Sequence, residues 1–252
     1  MFVIGIGEVF LKGLNRNTFI KRLIKNILAG TKGYVFFEQN RIFVEEADEK
    51  ILARVPGISF YAKAVECSFD QINEFALKEI KNEKTFRVSA QRLVKVGKTS
   101  EELNKEVGAY ILEKKPELKV KLKGPEIEVF IDILKDRAIT YSKKIPGMGG
   151  LPVGCSGEIF VRVEDEELST VVTYLIMKRG IIPIASKSLP LLNKFENGFK
   201  IQVREEKEED VVATDETMDN LILKKENKLV IKPLLGYSHK EVKELYKKIK
   251  EN

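Results

Sequence analysis

Apolar residues recur along the chain at two spacings, and the switches between them mark out three blocks. In the first block, residues 2–6 form an apolar run that predicts a strand. Phe19, Ile20, Leu23, Ile24 and Ile27 then fall at helical spacing and predict a helix over 15–28, with Asn15 as its N-cap. Segments 33–37 and 41–45 predict a hairpin that turns through Glu38-Gln39-Asn40. A second helix is expected over 48–54, stopped by Val55-Pro56-Gly57, and 59–67 closes the block as a strand. Strand–helix–strand–strand–helix–strand is the order of a ferredoxin-like unit.

The second block opens with an amphipathic helix over 70–80, then a strand over 85–90 in which Phe86 and Val88 alternate with polar residues. A helix over 100–112 follows, capped by Ser100, with Leu103, Val107 and Ile111 on one face. Strands 126–134 and 138–144 pair through Lys135-Asp136-Arg137. The third block comes after Pro146-Gly147-Met148-Gly149-Gly150-Leu151-Pro152-Val153-Gly154, read as a structural turn. It holds a strand over 158–163, a helix over 168–178 ending at Gly180, and a buried strand over 181–185: a βαβ unit that begins a parallel sheet. Residues 193–210 are polar and lack a period, 229–231 reads as a short strand, and 238–250 as a closing helix capped by Ser238. The expected division is a ferredoxin-like unit over 1–67, a second α+β unit over 68–146, a linker over 147–157 and an α/β domain over 158–252.

Charge adds a functional hint. The formal balance is +6, unevenly spread: residues 1–157 carry 27 Lys/Arg against 20 Asp/Glu, 158–219 carry 8 against 14, and 220–252 carry 9 against 4. A basic front half suits a polyanion partner, and equally a Lys/Glu-rich solvated surface. Tryptophan is absent, which argues against a platform that stacks many bases. Two cysteines, Cys67 and Cys155, suit a reducing cytoplasm, and one histidine, His239, makes a His/Cys metal site a poor expectation. No stretch has the roughly 18 apolar residues of a membrane span, and the N-terminus has no basic flank or cleavage site.

Five segments, in order, resemble the tRNA 4-thiouridine synthetase family. The first is Gly7-Glu8-Val9-Phe10-Leu11-Lys12-Gly13-Leu14-Asn15-Arg16, close to the run with which the family opens. The second is Thr85-Phe86-Arg87-Val88, Arg92, Lys95 and the stretch from Ser100 to Gly108, which looks like the heart of a THUMP domain, an RNA-binding module. The third is the linker Gly147 to Gly154; the fourth is Tyr174 to Gly180; the fifth is Thr217 to Leu221 with Lys232 to Gly236. The resemblance implies a ferredoxin-like domain, a THUMP domain and a PP-loop pyrophosphatase domain with a Rossmann-like parallel sheet.

In that family the turn after the first strand of the PP-loop domain reads S-G-G-x-D-S, where backbone N–H groups meet a phosphate at a helix N-terminus. Aligned without a gap between Gly157 and Tyr174, those positions here are Glu164, Asp165, Glu166, Glu167, Leu168 and Ser169. Only the last serine survives. Both glycines are gone, and four carboxylates stand where a triphosphate would sit; like charges ~4 Å apart repel by about 1 kcal/mol even in water. Consecutive acids on a helix start do not converge on one ion, so no metal site is expected there. The stretch 186–212 is too short for the family's remaining pocket, and no cysteine follows Cys155 to take part in sulfur transfer. With no rhodanese-like extension after Asn252, no persulfide donor is expected on this chain.

The resemblance places the RNA contacts on Lys12, Asn15 and Arg16 at the start of a helix, on Arg87, Arg92, Lys95 and Lys98 around a strand-to-helix connection, and on Lys143 and Lys144 before the linker. Each group also has a plainer reading as solvated surface charge. Cys67 reads as core, Cys155 as a thiol that could be exposed, His239 as surface, and the run 205–210 as a solvated acidic loop. The expectation is a cytoplasmic tRNA-binding protein with no catalytic residues, no metal and no cofactor, its ATP site lost. Two rivals stand beside it: a sulfurtransferase that works alone or with another subunit, and an adaptor whose partner is an active sulfurtransferase or a sulfur carrier. Relatives are implied to pair as homodimers, which is left open here.

Overall fold

The computed structural model describes residues 1–221 and 227–252. Its contacts gather into two compact units, one of Met1–Gly5, Phe36–Glu46 and Phe60–Ile145, the other of Ile6–Val35, Ala47–Ser59 and Pro146–Asn252.

Strand β1 (Phe2–Ile6) is buried at every position. Helix α1 (Arg16–Leu28) buries Ile20, Leu23 and Ile27, spaced to form one apolar stripe. A 3-10 stretch over Glu8–Asn15 leads into it and corrects the expected cap: Asn15 already has helical backbone angles, and its side chain makes no cap hydrogen bond. Strands β2 (Lys32–Glu38) and β3 (Arg41–Glu46) form the hairpin, but the turn is only Gln39 and Asn40, both at positive φ. Two left-handed residues are what a type I′ turn requires. Helix α2 (Glu49–Arg54) is capped by Asp48, whose carboxylate accepts the Lys50 N–H at 2.9 Å. The expected strand 59–67 is in fact two: β4 (Ile58–Lys63) and β5 (Val65–Cys67) belong to different sheets.

A 3-10 turn at Phe69–Gln71 precedes helix α3 (Ile72–Glu79). Strand β6 (Thr85–Arg92), helix α4 (Ser100–Lys114), and strands β7 (Lys119–Val120), β8 (Ile127–Ile133), β9 (Ala138–Tyr141) and β10 (Ile145–Pro146) follow. The cap of α4 is Thr99, not Ser100. Thr99 Oγ1 accepts the Glu102 N–H at 3.2 Å while the Glu102 carboxylate accepts the Thr99 N–H at 2.7 Å, a reciprocal capping box. Two sheets result, ordered β10-β4-β1-β3-β2 and β5-β9-β8-β6-β7. The run β4-β1-β3-β2 is the ferredoxin-like arrangement. In the second sheet β6 runs parallel to β7 and β8, and β8 antiparallel to β9.

Within this first unit Val3, Phe43 and Ala62 share one apolar cluster with Leu134, Ile139 and Tyr141. A buried polar group crosses it: Arg41 Nε donates to Asp132 Oδ2 at 2.7 Å, Tyr141 Oη donates to the same oxygen at 3.2 Å, and Arg41 Nη2 donates to Gln91 at 2.9 Å. A charge so buried requires such partners.

In the second unit, β11 (Glu158–Val161), α5 (Glu166–Lys178), β12 (Ile182–Ala185), β13 (Gln202–Val203), β14 (Val212–Ala213) and β15 (Val230–Ile231) precede the final helix α6 (His239–Glu251). Ser238 caps α6 as expected. The five strands make one parallel sheet ordered β13-β12-β11-β14-β15. Chain order reverses between β11 and β14. In doubly wound sheets the crevice at the carboxyl ends of the strands flanking such a reversal is where ligands sit.

The linker is held from many sides. Leu151 N–H donates to Lys178 O at 2.9 Å, and the N–H groups of Gly154, Cys155 and Ser156 all meet Gly180 O at 2.8–3.1 Å. Gly150 sits at φ 74°, and a Cβ there would lie 2.1 Å from Lys178 O, so only glycine fits. Val153 O accepts from Arg22 Nε at 2.8 Å and from Asn26 Nδ2 at 3.1 Å.

Candidate nucleotide loop and nucleic-acid interface

The segment aligned with a phosphate loop runs from the end of β11 into the first turn of α5, at the sheet's switch point. Glu164, Asp165, Glu166 and Glu167 are all exposed. Asp165 is the N-cap of α5, its carboxylate accepting the Leu168 N–H at 2.8 Å, and Glu166 and Glu167 stand in the first turn, where the helix dipole favours them. The backbone donors point instead at a residue the sequence reading overlooked. Asp215 Oδ2 accepts the N–H of Asp165 at 2.9 Å, the N–H of Glu164 at 3.2 Å and the hydroxyl of the buried Ser169 at 2.5 Å. Asp215 is itself only 3% exposed. A carboxylate of the chain's own thus fills the anion-accepting nest. Its position just past β14, the strand beside β11, was the available signal: an acid at the carboxyl end of a switch-point strand.

Ion pairs close the surroundings. Arg162, next after β11, grips Glu206 through Nε at 2.6 Å and Nη2 at 2.8 Å, and Lys228 Nζ reaches the same carboxylate at 2.8 Å. The Arg162 guanidinium first, and Lys228 with it, holds the Glu206 carboxyl well below the usual range, at about 2. Arg204 clasps Asp210 with two bonds of 2.7 Å, and Lys232 pairs with Glu216 at 2.5 Å. This corrects the reading of 205–210 as a solvated loop: Glu206 and Asp210 are tied to cations. Among the described residues no group of three His, Cys, Asp or Glu side chains could hold a metal, and no helix is long and apolar enough to cross a membrane.

The expected RNA contacts fall in both units, Lys12, Asn15 and Arg16 in the second and the others in the first. Lys12 sits over the Phe19 ring at 5.2 Å and Arg16 over the Phe10 ring at 4.3 Å, while Asn15 is exposed beside Leu14. In the THUMP-like sheet, Arg87 pairs in register with Glu128, whereas Arg92 pairs with Ile133. Five residues of strand separate them by about 17 Å. Lys95 and Lys98 follow Arg92 at one end. Lys143 and Lys144 follow Tyr141, which pairs with Phe130, and so extend toward the Arg87 end. Several of these cations are engaged. Arg87 donates to Leu122 O at 3.3 Å and faces Glu128 at 3.5 Å, and Lys98 meets Glu106 at 2.5 Å. The ammonium of Lys144 lies 3.6 Å from the Phe130 ring centre and 4.8 Å from that of Phe60, and burial pushes its pKa down. Lys95 and Lys143 are exposed with no ion-pair partner among the described residues.

Cys67 is buried, and burial pushes its thiol up to about 11. Cys155 is half-buried, and burial raises its thiol too, against the pull of Arg22 and Lys12. His239 is exposed at the start of α6.

Comparison with known proteins gives these parts their class. Residues 1–62 match the ThiI ferredoxin-like domain and residues 66–142 the THUMP domain. The front half of the chain is therefore built on these two domains, and the chain is a relative of the tRNA 4-thiouridine synthetases, the tRNA sulfurtransferases. A "Probable tRNA sulfurtransferase" of Mycoplasmopsis agalactiae is 36% identical over 185 residues, 71% of this chain and 49% of that protein. One from Mycoplasmopsis synoviae is 33% identical over 226 residues, 84% of this chain and 60% of that protein. The chain spans about half the length of the first of these curated relatives. Among solved structures, PH1313 from Pyrococcus horikoshii Ot3 superposes with a TM-score of 0.83 at 27% identity over 98% of both chains. A 4-thiouridine synthetase in complex with RNA and ATP shares the fold, with a TM-score of 0.80 at 21% identity over 98% of this chain and 84% of that one.

Proposed function

We propose that this protein binds tRNA and has no adenylation activity of its own. The tRNA half rests on the two matched domains, on the basic front half, and on a related fold that binds RNA in the synthetase complex. Folded RNA is recognised by shape and phosphate position, for which Lys95, Lys143 and Arg92 are the available cations. The loss of adenylation is carried by one observation: Asp215 occupies the donors that would otherwise meet a phosphate. A phosphate entering there would lose those donors to Asp215 or sit against a buried carboxylate, in addition to the four acids of the loop.

Two measurements test the reading. Transcript tRNA is expected to bind with an affinity that falls steeply between about 50 and about 200 mM salt. The double change Arg92→Ala, Lys95→Ala lowers the log–log salt slope by about 2, one for each phosphate contact. A protein that ignores tRNA at low salt ends the RNA half. Pyrophosphate release from ATP in the presence of that tRNA and a sulfide donor is expected to stay at background. Turnover by the purified chain alone overturns the second half.

A further inference from the structure

The second unit holds a cavity of about 620 Å³ remote from the degenerate loop. It lies against the C-terminal turn of α5, whereas the loop feeds the N-terminal turn; thirteen helical residues separate the two ends by about 18 Å. Leu175, Ile176, Ile181, Ile231 and Pro233 make an apolar wall, and Tyr237 adds an aromatic ring. Lys178, Arg179 and Lys232 bring three cations to the lining against one carboxylate, Glu8. Lys232 is matched by Glu216 at 2.5 Å, and Arg179 reaches Glu8 at 3.6 Å while remaining 70% exposed. Lys178 differs from both. It is half-buried, and its ammonium has no ion-pair or hydrogen-bond partner among the described residues. Burial first, then the neighbouring Lys248 and Arg179, push its pKa down against the pull of Glu8. A half-buried ammonium with no direct partner, beside a second cation, favours an anion, and the apolar wall with its ring favours a flat, largely apolar body joined to that anion. The volume is in the range of small-ligand sites, roughly 300–1,000 Å³.

We propose that this cavity binds a nucleoside monophosphate unit, with the phosphate on Lys178 and Arg179 and the base between Tyr237 and the aliphatic wall. Phosphate and ring together meet both halves of the lining, which neither inorganic phosphate nor a nucleoside does alone. Glu8 stands at the same rim and can accept from ribose hydroxyls. The proposal is independent of whether the degenerate loop adenylates tRNA, because the loop lies at the other end of α5.

Calorimetric titration of the full chain with AMP, adenosine and inorganic phosphate tests it. AMP is expected to bind at least tenfold more tightly than either fragment. Lys178→Met, which keeps the aliphatic stem, is expected to weaken AMP at least tenfold. Arg179→Ala, at an exposed position with little bearing on folding, weakens it by several-fold and covers the case in which the Lys178 variant misfolds. Saturation-transfer NMR is expected to place the base against an aromatic ring that Tyr237→Leu removes. Displacement of AMP by a short single-stranded RNA assigns the nucleotide to RNA, and retention of AMP in its presence assigns it to a free nucleotide; both support the site. No AMP binding at millimolar concentration, or binding that Lys178→Met and Arg179→Ala leave unchanged, overturns it.

Discussion

Asp215 gathers the free donors of the loop between β11 and α5 onto one side chain. Three donors converge on a single carboxylate oxygen, two from the backbone of the loop and one from Ser169. Asp215→Ala leaves these groups in a buried place without their acceptor, a cost of roughly 1–3 kcal/mol. Urea unfolding is the measurement; an unchanged midpoint would mean that water replaces the carboxylate freely. Glu206 gives a prediction in pH. Its folded-state pKa, about 2, lies below the ordinary 4.5 because Arg162 and Lys228 favour the charged form. The stability this adds is complete above pH 4.5 and is lost as pH falls from there through about 2. Glu206→Gln is therefore expected to lower stability at neutral pH and to flatten the acid limb of the stability curve. Unfolding midpoints taken across that window for both proteins decide it, and parallel curves would count against the Arg162–Glu206–Lys228 cluster.

At the scale of elements, caps show where sequence reading holds and where it slips. Ser238 was legible because serine, the Glu three residues on and the apolar period all agree. For α4 two hydroxyl residues stand side by side, and the period alone cannot choose between them. The geometry selects Thr99, since Glu102 is three residues after it and closes the box. Thr99→Ala is expected to cost about 1 kcal/mol. Ser100→Ala stays within about 0.5 kcal/mol, as a change away from the capping contacts. Equal effects in thermal unfolding would contradict the box. Asn15 slipped for a related reason: cap residues are recognised by type, but the preceding 3-10 stretch had already brought the backbone into the helical region. The short strands β13 and β14 escaped notice because two residues show no period. With them went Asp215, whose meaning depends on β14 lying beside β11, a pairing across about fifty residues that no local pattern carries. The ferredoxin-like order was legible because α1 shows a clear helical stripe and breakers such as Val55-Pro56-Gly57 separate the shorter elements, although the last strand was read through Ala64 into β5.

At the scale of the whole molecule, the proposed tRNA contact has a width that the placement of its cations predicts. The first unit sets the scale. Arg92 lies in the row in which β6 pairs with Ile133 and Lys95 follows it, and Lys143 extends past Tyr141 toward the row of Arg87 and Glu128. The span between the two rows is about 17 Å, counted along the strands. A ligand the size of folded tRNA can touch both ends at once, and one recognised at a single point touches one. If both ends contact one RNA, Lys95→Ala and Lys143→Ala each lower the salt slope by about 1. Their free-energy losses should add within about 0.3–0.5 kcal/mol, because groups this far apart with no shared partner do not couple. Lys240→Ala, which removes one half of an exposed pair with Glu244 on α6, serves as the control and is expected to change nothing. Titrations of tRNA across salt with the two single variants, the double variant and the control decide it. A silent Lys143→Ala beside a weakened Lys95→Ala would confine the interface to the carboxyl end of β6. Loss in the control as well would mean that net charge, and not a placed set of lysines, holds the RNA.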